Sequence, residues 1–289
     1  LIRAVAAHPQ TAYIPVVTEL YPTYNNKAKE EALRLLAAIE DREAAIAFMN
    51  VLRTWARSGH VPALPTHPLR DKPRNADVFF PDILGYADIE AFEWDIYLLL
   101  LTYLQANLIS YDSVSSYSTQ ILDSYHKYED KLVAAQQNEG VAWMWEEEYQ
   151  KWRNIASVIL DVMGYFPLPE VERELQEALT YNDPRLKFFA IISLLRQGKE
   201  VSSESVREVA RAPEMRNFLY QELAKFNQTT LYPEEFRTQE AFAESDMVNW
   251  LVFPTELARV PDEIELMKVV SIDTKTPDGI LDYYVFRFR

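Results

Sequence analysis

The sequence predicts a mainly α-helical chain, an α-α superhelix that ends in a small β-hairpin. Three observations lead there. Around an Asp183-Pro184 corner lie two apolar stripes at helical spacing: Leu175, Ala178 and Leu179 before it, and Leu186, Phe189, Ala190, Ile191, Leu194 and Leu195 after it. The second stripe recurs. Setting Pro184 on Pro213 places Leu186 on Met215, Lys187 on Arg216, Phe189 on Phe218 and Leu194 on Leu223, a step of 29 residues. Finally, the runs at 264–272 and 280–288 are rich in β-branched and aromatic residues and flank a stretch ending in Asp278-Gly279, the pattern of a hairpin.

From the N-terminus, residues 1–57 read as helical repeats, with helices at 13–20, 27–39 and 42–56, the last capped by Asp41. Residues 58–81 form a Pro-rich loop in which Pro62, Pro65, Pro68, Pro73 and Pro81 argue against regular structure. A second block of helical repeats, 82–252, carries helices at 89–108, 113–136, 142–163, 169–180, 184–197, 203–210 and 214–226, with one more across 233–250. In the 184–197 helix, Asp183 is placed to cap and Pro184 takes the first position, where its missing N–H costs nothing. Residues 253–289 are a β element. A lone two-stranded hairpin is marginal in water, so it is expected to pack on the last helices or to pair with a strand beyond Arg289. Leu1 without a methionine, and an end at Arg289 inside a strand-like pattern, lead us to expect a piece of a longer protein.

The repeat resembles HEAT-like helical repeats, whose second helix opens on an acidic-proline corner followed by a hydrophobic residue, a basic residue and later an alanine and leucines. Asp183, Pro184, Leu186, Lys187, Ala190 and Leu194 fit that pattern. A looser copy is Asn26, Ala28, Lys29, Ala32, Leu33 and Leu36, without the proline; the copy at Pro213 has Ala212 for the acid and Leu219 for the alanine. The resemblance covers about a third of the chain. It implies an α-solenoid scaffold for protein binding rather than an activity.

Composition narrows the partners. A chain of 289 residues with 48% apolar residues can bury a large core, and its net charge of −15 opposes nucleic acid and anionic membranes, which need clustered Lys and Arg. The absence of cysteine removes disulfides, thiol nucleophiles and Cys-ligated metals, and suits the cytosol and the periplasm equally. The most apolar run, 96–104, is too short to span a bilayer, which takes about 20 residues, so a buried helix is expected there.

Motifs for chemistry are missing. The six glycines are too dispersed for GxGxxG, a phosphate-cradling loop or GxSxG, and none of the four histidines lies in HExxH. Asp123, His126 and Asp130 share a helix face but sit in a polar stretch that reads as a solvated surface. Glu146, Glu147 and Glu148 read as charge at a helix start, and Trp143, Trp145 and Trp152 as packing residues. No catalytic residue, metal ligand or cofactor is therefore assigned. One segment stands out as a binding candidate: Arg57, His60, His67, Arg70, Lys72 and Arg74 make the Pro-rich loop locally basic in an acidic protein. Such a stretch can be a partner-binding loop or a connector folded against the chain's own acidic surface.

The sequence thus predicts a non-catalytic protein-interaction scaffold, with a protein or peptide partner that the acidic surface would favour being basic, and no nucleic acid or membrane insertion. Two alternatives stand beside it: a helical accessory region of a larger enzyme, and an acidic immunity or inhibitor protein.

Overall fold

A computed structural model describes residues 8–138, 140–252, 257, 259–273 and 279–289. The described chain is mainly helical and ends in one antiparallel two-stranded sheet. It divides into two compact units: Leu1–Glu129 with Asn154–Pro167, and Asp130–Arg153 with Leu168–Arg289.

The first unit holds α1 (Ile14–Leu20), α2 (Asn26–Ala38), α3 (Arg42–Trp55), α4 (His67–Asp71), α5 (Ala76–Phe79), α6 (Glu90–Gln105) and α7 (Tyr111–Val114). Helices α8 (Ser118–Ala135) and α9 (Glu147–Met163) give residues to both units. Local caps start the long helices: Asn25 accepts from the Ala28 N–H at 2.9 Å, and Asp41 from the Glu43 N–H at 2.7 Å. Leu33, Leu36, Phe48 and Leu52 then bury the inward faces of α2 and α3. Helix α6 carries the apolar run and buries Phe92, Ile96, Leu99, Leu100 and Tyr103, each full burial of such a side chain contributing about 1.5–3 kcal/mol. Among the described residues no helix is long and apolar enough to cross a membrane.

The Pro-rich segment is more ordered than its prolines suggest. It contains α4 and α5, because Pro68 sits in the first turn of α4, where a proline removes no helical hydrogen bond. Phe79 at the end of α5 packs edge-on against Phe48 at 5.9 Å and Tyr103 at 6.4 Å.

The second unit contains α10 (Pro169–Ala178), α11 (Pro184–Arg196), α12 (Ser203–Arg211), α13 (Pro213–Lys225), α14 (Gln239–Val252), β1 (Ile264–Asp273) and β2 (Ile280–Phe288). Each of the two helices aligned in the sequence, α11 and α13, runs for 13 residues from its proline. Leu186 and Met215, Lys187 and Arg216, and Leu194 and Leu223 are buried in pairs, as the alignment requires. Phe189 departs from expectation. Its neighbour Phe188 is buried while Phe189 stays half-exposed, and Phe218 in the second copy is 46% exposed.

Two further boundaries differ from the sequence reading. Glu234–Phe236 is a separate short turn, and α14 starts only at Gln239, where Thr238 Oγ1 accepts from the Ala241 N–H at 3.1 Å. Ala142–Trp145 is likewise a tight turn, so α9 begins at Glu147 with Glu147 and Glu148 in its first turn. Strand β1 pairs with β2 from Ile264 opposite Phe288 to Asp273 opposite Ile280, with an irregularity between Leu266 and Lys268. The turn anticipated between them falls at 274–278, outside the described residues. Strand β2 touches α14, while Met267, Val269, Ile280 and Tyr283 remain exposed.

Candidate functional site

The richest constellation of the second unit forms around Asp183, which is 0% exposed. Its Oδ1 caps α11 by accepting from the N–H groups of Arg185 at 2.8 Å and Leu186 at 3.2 Å. Its Oδ2 accepts from the Tyr149 hydroxyl at 2.9 Å and from Nη1 of Arg153 at 3.3 Å. A carboxylate buried in this way is stabilised only because both oxygens are answered. Burial first, and the Asp183 charge second, push the Tyr149 hydroxyl far above its ordinary range. The Arg153 guanidinium lies 5.5 Å from the Trp145 ring and 5.8 Å from the Tyr149 ring, close enough for cation–π attraction to both.

A pocket of about 340 Å³ opens beside this network. Its walls are Trp145, Phe188, Phe189, Met215, Phe218 and Val252, and its polar groups are Arg153, Arg185 and Glu214. Proline-led helices supply the last two: Arg185 follows Pro184 in α11, and Glu214 follows Pro213 in α13. Among the described residues the Arg185 side chain makes no hydrogen bond and no ion pair. Burial, helped by the neighbouring positive charge of Arg153, pulls its pKa down to about 10. The Glu214 carboxyl also lacks a cation at ion-pair distance among the described residues, and burial holds its pKa above the ordinary value.

A more polar groove of about 760 Å³ adjoins the pocket and shares Trp145 and Glu214 with it. Its charges are largely matched. Lys187 pairs with Glu208, and Arg259 lies 3.3 Å from Asp262. The basic position of the repeat therefore has an internal role: Lys187 holds Glu208, and Arg216 reaches the carbonyls of Ala210 and Ala241, each at 3.0 Å, and Glu244 at 2.8 Å. Lys29, the corresponding residue of the looser copy, is buried with its ammonium 5.9 Å from the Tyr21 ring.

The residues singled out in the Pro-rich loop lie in the first unit, most of them against acids or carbonyls of their own chain. Arg57 binds Asp88 at 2.9 Å and the Gly85 carbonyl, His67 Nδ1 lies 3.0 Å from Asp71, and Lys72 pairs with Glu40. Arg74 donates to the carbonyls of Ala37 at 2.6 Å, Ile39 at 3.3 Å and Lys72 at 2.7 Å, so that it covers the C-terminus of α2. His60 Nδ1 sits 3.0 Å from the Ser58 carbonyl and 2.9 Å from the Ser58 hydroxyl, and burial raises the Asp95 carboxyl, which the Thr66 hydrogen bond and then the Arg70 charge offset only in part. Lys72 and Arg74 converge on Glu40, whose carboxyl is held below its ordinary value by the Lys72 hydrogen bond first. His126 lies 3.9 Å from Glu129 on the next turn of α8.

Arg153, Arg185 and Glu214 were not singled out in the sequence. One signal was available for Arg185: a cation in the first turn of a helix opposes the macrodipole and asks for another explanation. Comparison with protein-family models, with curated proteins and with solved structures gives no match for this chain.

Proposed function

We propose that the chain is a non-catalytic protein-interaction scaffold built from HEAT-like helical pairs, and that the second unit carries its binding face. The single observation that supports this most is the correspondence of α11 and α13, which have equal length, a proline at the start of each and, for every buried position of α13, a buried counterpart in α11. Helical pairs repeated in this way leave one side of each pair free to present a groove. The polar groove lined by Val141, Trp145, Lys187, Glu208 and Asp262 is the surface this reading assigns to the partner. The net charge of −15 favours a basic protein or peptide over nucleic acid.

The test is to capture partners with the full chain, then map protection by hydrogen exchange on the purified complex at low and high salt. Protection concentrated on α11–α13, with affinity falling as salt rises, is the expected outcome. Protection confined to the first unit, or salt-independent binding of an acidic protein, would overturn this reading.

A further inference from the structure

We propose that the pocket beside Asp183 binds a small apolar acid, a carboxylate carried on an aliphatic or aromatic body, with the carboxylate paired to Arg185. The inference stands apart from the scaffold reading. It begins with charge. Two arginines, Arg153 and Arg185, meet at this pocket, and the one buried acid behind them, Asp183, is already committed to Arg153, to the Tyr149 hydroxyl and to two helix N–H groups. Arg185 is left with no hydrogen-bond or ion-pair partner among the described residues. A guanidinium placed against apolar walls without a hydrogen-bonded anion costs stability, and the nearby charge of the already committed Asp183 offsets that cost only in part. A bound carboxylate would offset the rest, because the guanidinium fork matches its two oxygens.

The walls select the rest of the ligand. Trp145, Phe188, Phe189, Met215, Phe218 and Val252 offer a surface for an aliphatic chain or a ring. The half-exposed Phe189 and Phe218 occupy the same position of the two aligned helices, so the repeat itself brings two aromatic rings to the rim. A volume of about 340 Å³ lies at the small end of ligand cavities, which favours a small molecule over a polypeptide segment. Glu214 lines both the pocket and the groove, whereas Arg185 lines the pocket alone. On the side shared with the groove the pocket therefore carries an acid that disfavours a second carboxylate on the ligand, and monoacids should bind better than diacids.

The experiment is calorimetric titration of the full chain with octanoate, octanamide and octanedioate, repeated on Arg185→Gln, Arg185→Lys and Phe218→Ala, with a thermal melt of every variant. Octanoate should bind saturably at one site, and the amide and the diacid should bind on the order of tenfold more weakly or worse. Arg185→Gln should lose a similar factor while melting no lower than the parent protein, because it removes an unpaired cation; Arg185→Lys should keep part of the affinity. Phe218→Ala changes an exposed side chain and should weaken octanoate without unfolding the protein. The proposal is overturned if octanamide binds as well as octanoate, if Arg185→Gln leaves the affinity unchanged, or if it lowers the melting temperature by several degrees. Absence of saturable octanoate binding to the parent protein overturns it as well. A hydrophobic peptide with a free C-terminus that binds while octanoate does not would assign the pocket to a polypeptide and equally sink the small-acid proposal.

Discussion

Buried charge is handled differently around Glu93 in the first unit and in the Asp183 pocket of the second. In the first, Glu93 on α6 is 1% exposed, and its carboxylate receives the Lys127 ammonium at 2.7 Å and the Tyr128 hydroxyl at 2.5 Å. Burial first and the Glu93 carboxylate second push that hydroxyl up to about 12, so it stays a donor throughout the physiological range. In the second unit, Asp183 is satisfied with equal completeness, yet Arg185 and Glu214 beside it are not. A fully matched buried acid is explained by folding alone. A desolvated cation and a desolvated acid, each without a counter-ion among the described residues, work against folding, and that asymmetry is why the site is placed in the second unit.

The largest effect should come from removing the anchor of that network. Asp183→Ala takes away the cap of α11, leaves the Tyr149 hydroxyl without its acceptor and exposes Arg153 and Arg185 to each other. Breaking a buried pair on one side costs about 3–5 kcal/mol, which urea denaturation of the variant should show. A loss below about 1 kcal/mol would mean that the carboxylate contributes no more than a surface cap.

The matched acid of the first unit should be more forgiving. Glu93→Gln keeps the shape and an acceptor for Tyr128, and the Lys127 side chain is 44% exposed, so water can replace its lost partner. We expect a destabilisation of about 1–2 kcal/mol, again by urea titration. If this substitution proves as costly as Asp183→Ala, solvent access to the counter-ion does not distinguish the two units.

Much of the fold was legible because its signals are local. Caps such as Asp41 and Asp183 announce helix starts within three residues of chain, and each buried position of the proline-led copy at 213 has a buried counterpart in the one at 184. What failed to show depends on neighbours distant in sequence. Phe188 and Phe189 are adjacent in an apolar stretch, and helical periodicity alone does not choose which of them faces the core. The prolines of 58–81 read as breakers, although Pro68 occupies a helix start where it is tolerated. The candidate site was the least legible part. Arg185 and Glu214 look like ordinary surface charges until α11, α13 and the Trp145 turn enclose them with aromatic rings.

The smallest effect, and one of opposite sign, concerns Glu214. Burial raises its pKa in the folded protein above the ordinary value of 4.5. The folded state therefore holds the proton more tightly than the unfolded state, and stability falls as pH rises from that ordinary value through the folded one. Above the folded pKa the penalty is present in full; well below 4.5 both states are protonated and it vanishes. Glu214→Gln removes the titrating group while keeping the shape and hydrogen-bonding ability of the protonated acid. The variant should match the parent protein well below pH 4.5 and gain on it as pH rises, levelling off above the folded pKa. Thermal melts of both proteins from acid to neutral pH measure that gap directly. A gap that stays constant with pH would place the Glu214 effect in packing, and a variant less stable than the parent at neutral pH would mean that the carboxylate has a counter-charge, removing half of the contrast between the two units.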